Sequence, residues 1–144
     1  MKKKELDFDG RWLRGVLADF GCQTGTLHRT GEGGGVLEMV VQVGVRADLV
    51  PKIMRIPFGK GIAGVAAQTR EPVSLCNLQQ DLGGVANPDA RRTGVSGSLA
   101  MPILADDGRV LGTLGIGKGA PHAFSEEEMG RLAGVAREVA GQWQ

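Results

Sequence analysis

The run Ile56-Pro57-Phe58-Gly59-Lys60-Gly61-Ile62-Ala63-Gly64 holds three glycines at the spacing G-x-G-x-x-G, and Asp81 stands twenty positions beyond Gly61. In a dinucleotide-binding unit such glycines make a tight turn and let pyrophosphate approach the backbone, while an acid about 20 residues on holds the ribose. The chemistry would be hydride transfer. Two thiols, Cys22 and Cys76, are the candidates for nucleophilic or redox work and lie 54 positions apart. His28 and His122 are the only histidines. Neither has a second histidine or a cysteine at metal-ligand spacing, so a zinc site is not expected. Between Leu82 and Ser96 lie Asn87, Asp89, Arg91 and Arg92, a set that can pair and orient an anion.

These residues must be held by elements, and the spacing of apolar residues predicts which. Leu13, Val16, Leu17 and Phe20 recur at three and four, the stripe of a helix over about Asp9 to Asp19 that Gly21 would end. Cys22–Arg29 and Val36–Val45 flank a glycine-rich turn and read as a hairpin. Pro51 limits Ala47–Met54 to a short helix or turn. A small helix follows over Ile62–Thr69, then a short strand over Val73–Cys76 and a long connection from Asn77 to Ser96. Leu99–Leu104 and Val110–Ile116, joined by Asp106-Asp107-Gly108, predict a second hairpin, with Pro102 awkwardly inside its first strand. Ser125 and Glu128 have the spacing of a capping box, with Phe124 and Met129 placed to staple across it, and open the last helix.

Set in these elements, the glycines do not fit a nucleotide site. Pro57 and Arg55 fall where a buried parallel strand should lead in, the following helix is barely two turns long, and Asp81 lies five residues past Cys76. The clearest feature downstream is an antiparallel hairpin, not another βα unit. The glycines are better read as shaping a turn before a thin helix.

The ordered stretches "IPFGKGIAGVAAQTREPVSLCNLQQD", "GSLAMPILADDGRVLGTLGI" and "AFSEEEMGRLAGVA" together resemble a GAF domain over about residues 10–142. The resemblance implies an α+β fold with a central antiparallel sheet in the order 2-1-5-4-3. It also implies N- and C-terminal helices on one face, with short helices and a long loop covering a pocket on the other. Residues 1–9 are then a tail and 10–144 a single domain. The family carries a proline at the place of Pro102. Its members bind small ligands in the loop-covered pocket and often dimerise through the terminal helices.

On that reading the ligand-binding candidates are Cys76, Asn87, Asp89, Arg91, Arg92 and Met101. For Cys76 the competing reading is an inert buried thiol, and for the loop charges a solvated surface. Cys22 reads as core. A catalytic branch of the family, free methionine-(R)-sulfoxide reductase, carries cysteines around this pocket. Here Ala63 stands in the first such segment and no cysteine follows Cys76, so no catalytic residue is expected. The signatures of the cyclic-nucleotide and bilin-binding subgroups are missing too. The expected function is a non-catalytic regulatory or sensor module that binds a small molecule, signals through a partner protein and dimerises through its terminal helices. A dimerisation scaffold with a vestigial pocket and the reductase are the alternatives. The residues name no cofactor.

Composition agrees with that class. With 144 residues, 42% hydrophobic, 23% charged and a formal net charge of +1, the chain fits one domain with a real core. It lacks the cationic excess that broad nucleic-acid binding needs. No apolar run has the length of a membrane span or an export signal, so a cytoplasmic protein with reduced thiols is expected.

Overall fold

The computed structural model describes residues 7–77 and 95–144. Ten elements follow in chain order: α1 (Gly10–Phe20), β1 (Thr24–Thr30), β2 (Val36–Val43), α2 (Val50–Ile53), β3 (Arg55–Pro57), α3 (Gly61–Thr69), β4 (Val73–Leu75), β5 (Gly97–Leu104), β6 (Val110–Lys118) and α4 (Glu126–Trp143). The six strands form one sheet in the order β3-β2-β1-β6-β5-β4, and every neighbouring pair is antiparallel. With β3 set aside, this is the expected 2-1-5-4-3 order under new numbers. The added strand pairs Arg55, Ile56 and Pro57 with Glu38, Leu37 and Val36 at the outer edge. An edge tolerates a proline, because one flank has no partner.

Local chemistry sets the ends of the helices. Asp9 accepts a bond from the Trp12 N–H at 3.0 Å, and Gly21 closes α1 in the left-handed region at φ 62°. The Ser125 hydroxyl accepts from the Glu128 N–H at 3.1 Å, while the Glu128 carboxylate accepts from the Ser125 N–H at 3.0 Å. That reciprocal pair is the expected capping box. Pro102 stands opposite Thr113 of β6, two residues beyond Ala100, the last β5 residue paired with β4. On its β4 flank no ladder bond is lost there.

Strand parity divides the sheet into two unlike faces. On one, Leu27, Leu99, Ile103 and Leu114 pack with Leu13 and Leu17 of α1 and Leu132 and Val139 of α4. This is the core, and seven of these eight side chains are fully buried. Phe8, placed in the tail by sequence, meets Trp12 and Trp143 edge-on at 4.8 and 5.9 Å, and so joins the two terminal helices. The other face carries α3 against β5 and β6. Many of the residues it presents on β1, β5 and β6 are small.

Candidate functional site: a small-floored cavity

Thr26 of β1, Gly115 of β6 and Ala100 of β5 lie side by side in register, and Thr24, Gly117 and Ser98 form the next row. Small side chains cannot fill the space between a sheet and the layer above it. The result is a cavity of about 220 Å³ over these two rows. The 45–63 segment encloses it through Val45, Leu49 and Ile53, then Ile56 and Pro57, then Gly61, Ile62 and Ala63. Both glycines are confined: a Cβ on Gly117 would fall 2.6 Å from the Thr24 hydroxyl, and one on Gly115 3.0 Å from that of Thr26.

The glycine-rich turn belongs to this wall. Gly59 and Gly61 take φ of 89° and 65°, open to glycine and rarely to other residues. A Cβ on Gly64 would lie 2.6 Å from the Pro57 carbonyl oxygen, so the turn folds directly onto α3. The Gly59 N–H donates to the Gly64 carbonyl at 2.7 Å and the Lys60 N–H to the Pro57 carbonyl at 3.1 Å. Amides engaged in this way are not aimed at a pyrophosphate, and the strand leading in pairs antiparallel. The dinucleotide reading fails on both counts.

Polar groups in the wall are few. Lys52, Arg55 and Lys60 are the charged residues among the described lining, and all three are cationic. His28 also lines the cavity while being 1% exposed. Its Nε2 lies 2.7 Å from the Ile53 carbonyl oxygen, which makes that nitrogen the donor and ties β1 to α2. Nδ1 is buried without a partner. Burial lowers the imidazole pKa from 6.5, and the Ile53 bond opposes this more weakly, so the ring is neutral.

The sequence candidates separate on this map. Met101 is not a cavity residue: parity sets it with Leu99 and Ile103 in the helix-side core, 4% exposed, and leaves Ser98 and Ala100 facing the cavity. Cys76 is exposed one residue beyond β4 and is outside the described lining. Its carbonyl accepts from the His122 N–H at 2.9 Å. Asn87, Asp89, Arg91 and Arg92 lie outside the described residues. Cys22 is buried in the helix-side core, and burial pushes its thiol up to about 11. The imidazole of His122 bonds the Glu128 carboxylate at 2.9 Å, beside the cap of α4. Among the described residues no group of three His, Cys, Asp or Glu could hold a metal ion. Sequence reading missed the floor, although Gly115-Ile116-Gly117 and Ser98-Leu99-Ala100 alternate small with large as a one-sided sheet requires.

The family model described as the GAF domain matches residues 12–141, and the chain belongs to that family. The fold is similar to that of the GAF domain from an Acinetobacter phosphoenolpyruvate-protein phosphotransferase, at TM-score 0.74 and 18% identity over 91% of this chain and 76% of that one. It is similar also to the corresponding GAF domain from Coxiella burnetii, at 0.73 and 24% over 88% and 74%. The free methionine-R-sulfoxide reductase from Neisseria meningitidis, solved with its substrate, gives 0.71 and 23% over 90% and 72%. No curated protein matches in sequence. At such identities the likenesses establish the fold, which sensors and reductases share. Membership supports a regulatory or sensory domain. No helix among the described residues is long and apolar enough to cross a membrane.

Proposed function

We propose that the chain is a non-catalytic sensor module, which takes a small molecule into the cavity over β1, β6 and β5 and passes its state to a partner protein. The observation that carries this is the cavity itself. Two rows of small residues across three strands keep about 220 Å³ open in a chain that packs its other face tightly. A ligand seated there would make the packing contacts that so small a floor cannot make with its own cover.

The non-catalytic part rests on the thiols. Sulfoxide reduction by cysteine needs a thiolate within reach of the bound sulfur. Cys22 is on the opposite side of the sheet with its thiol held protonated, and Cys76 is exposed outside the described lining. The test is native mass spectrometry of the purified chain, with release and identification of any bound molecule, beside an assay on free methionine sulfoxide. A retained small molecule without turnover is expected. Turnover that Cys76→Ser abolishes would make the chain a reductase. A chain that stays empty through a metabolite screen would be a scaffold.

A further inference from the structure

We infer that the ligand of this cavity is a compact carboxylate with an aliphatic body, its head at a rim made by Arg55 and Lys60. The inference rests on the sensing reading above and narrows it to one chemical class. Three features of the wall lead to it.

The first is size. A volume of about 220 Å³ is small beside the roughly 300–1,000 Å³ of common ligand pockets. A tetrapyrrole is far larger. The second is the interior, where Val45, Leu49, Ile53, Ile56 and Ile62 present aliphatic surface that rewards a branched or linear hydrocarbon. Thr26 and Ser98 add hydroxyls to the floor.

The third is charge. Lys52, Arg55 and Lys60 all stand on the 45–63 segment that borders the cavity, and no carboxylate is among the described lining. Arg55 and Lys60 are exposed at that rim, where a charged head keeps part of its water while it pairs. His28 adds no positive charge, being neutral and bonded to Ile53. The Gly59 and Lys60 amides are bonded within the turn, so the Arg55 and Lys60 side chains supply the charge at this rim. Cationic side chains of this kind pair with a carboxylate through charge-assisted hydrogen bonds.

The experiment titrates the isotopically labelled chain with 4-methylpentanoate, 4-methylpentanamide and 4-methylpentylamine, which share one body and differ in the head. Amide shifts of Thr26, Ala100 and Gly115 report on the floor. The carboxylate should move these signals and bind about tenfold more tightly than the amide, the scale of one charge-assisted contact. The amine should bind most weakly. Arg55→Gln with Lys60→Gln, both surface changes, should leave the unfolding midpoint in place and erase the preference for the carboxylate. Equal binding of carboxylate and amide, or a preference that survives the double variant, overturns the carboxylate class and leaves the cavity reading standing. If none of the three moves the floor signals, the carboxylate class falls, and the cavity reading stands or falls by the mass-spectrometric test alone.

Discussion

Burial of His28 between β1 and α2 strips water from its ring, and that loss works against the charged form. The consequence for stability has a definite sign. Unfolded histidine titrates near 6.5 and the folded group lower, so below 6.5 the unfolded chain takes up a proton that the folded chain refuses. Stability from this group is therefore complete above 6.5 and declines as pH falls toward the folded value. We predict that the thermal midpoint drops as pH is lowered from neutrality through this window, and that His28→Gln flattens the drop. An unchanged slope in the variant would assign the effect elsewhere. Glu128 acts in a separate, more acidic window. Its pKa is lowered first by the Ser125 N–H and then by His122, so its contribution persists above 4.5 and disappears as pH falls through the depressed value. The thiols make a second prediction at this scale. At mildly alkaline pH an alkylating agent should modify Cys76 in the native chain and spare Cys22, which is buried and protonated, and should reach both after unfolding. Native modification of Cys22 would contradict its place in the core.

Among the elements, α3 and α4 show how much depends on their ends. Ser125→Ala removes one side of the capping box and should lower stability by about 1 kcal/mol in a urea titration. Helix α3 ends at Arg70, a non-glycine residue in the left-handed region at φ 61°. Such a conformation costs about 1–2 kcal/mol in an ordinary residue, so Arg70→Gly should raise stability by ~1 kcal/mol. Gly64→Ala should act the other way, because the added methyl meets a backbone oxygen that cannot yield cheaply. Measured together, the two variants should shift the urea midpoint in opposite directions. The caps and terminal helices were legible in the sequence because each is fixed by residues three or four apart, and both hairpins because a local turn joins their strands. Strand β3 was not, since three residues are too few to show a period and Pro57 argued against a strand. The cavity floor was hidden for a different reason. Thr24, Thr26, Ser98, Ala100, Gly115 and Gly117 become neighbours only through strand pairing, and the register that joins them is non-local. Met101 was within reach of parity alone, because it shares the alternation of Leu99 and Ile103.

At the scale of the whole molecule, the sheet separates the cavity face from a face covered by the two terminal helices. The expected homodimer relied on Trp12 and Trp143 being surplus to the core. Instead both pack partly buried against it, around Phe8, and the Arg29 guanidinium lies 4.9 Å from the centre of the Trp143 ring. The outward positions of α1 and α4 carry Arg11, Arg14, Glu127 and Glu138, which are exposed and charged. We propose that any pairing through these helices is electrostatic. Sedimentation in dilute buffer should then show a dimer that dissociates at molar salt. A dimer indifferent to salt would require an apolar interface elsewhere, and Val40 and Met54, 45% and 51% exposed, are the large apolar side chains available for it among the described residues.

The meeting of Phe8, Trp12 and Trp143 has an optical consequence. The chain has two tryptophans and no tyrosine, so near-ultraviolet emission comes almost wholly from indoles that share one aromatic cluster with the chain ends. Neither indole lines the cavity. A non-absorbing aliphatic carboxylate bound there can alter this emission only if the strands and terminal helices relay a displacement from one side of the sheet to the other. Intrinsic fluorescence therefore reports transmission rather than occupancy. Recorded alongside the floor signals, it separates a domain that merely stores its ligand from one that carries the message to its ends.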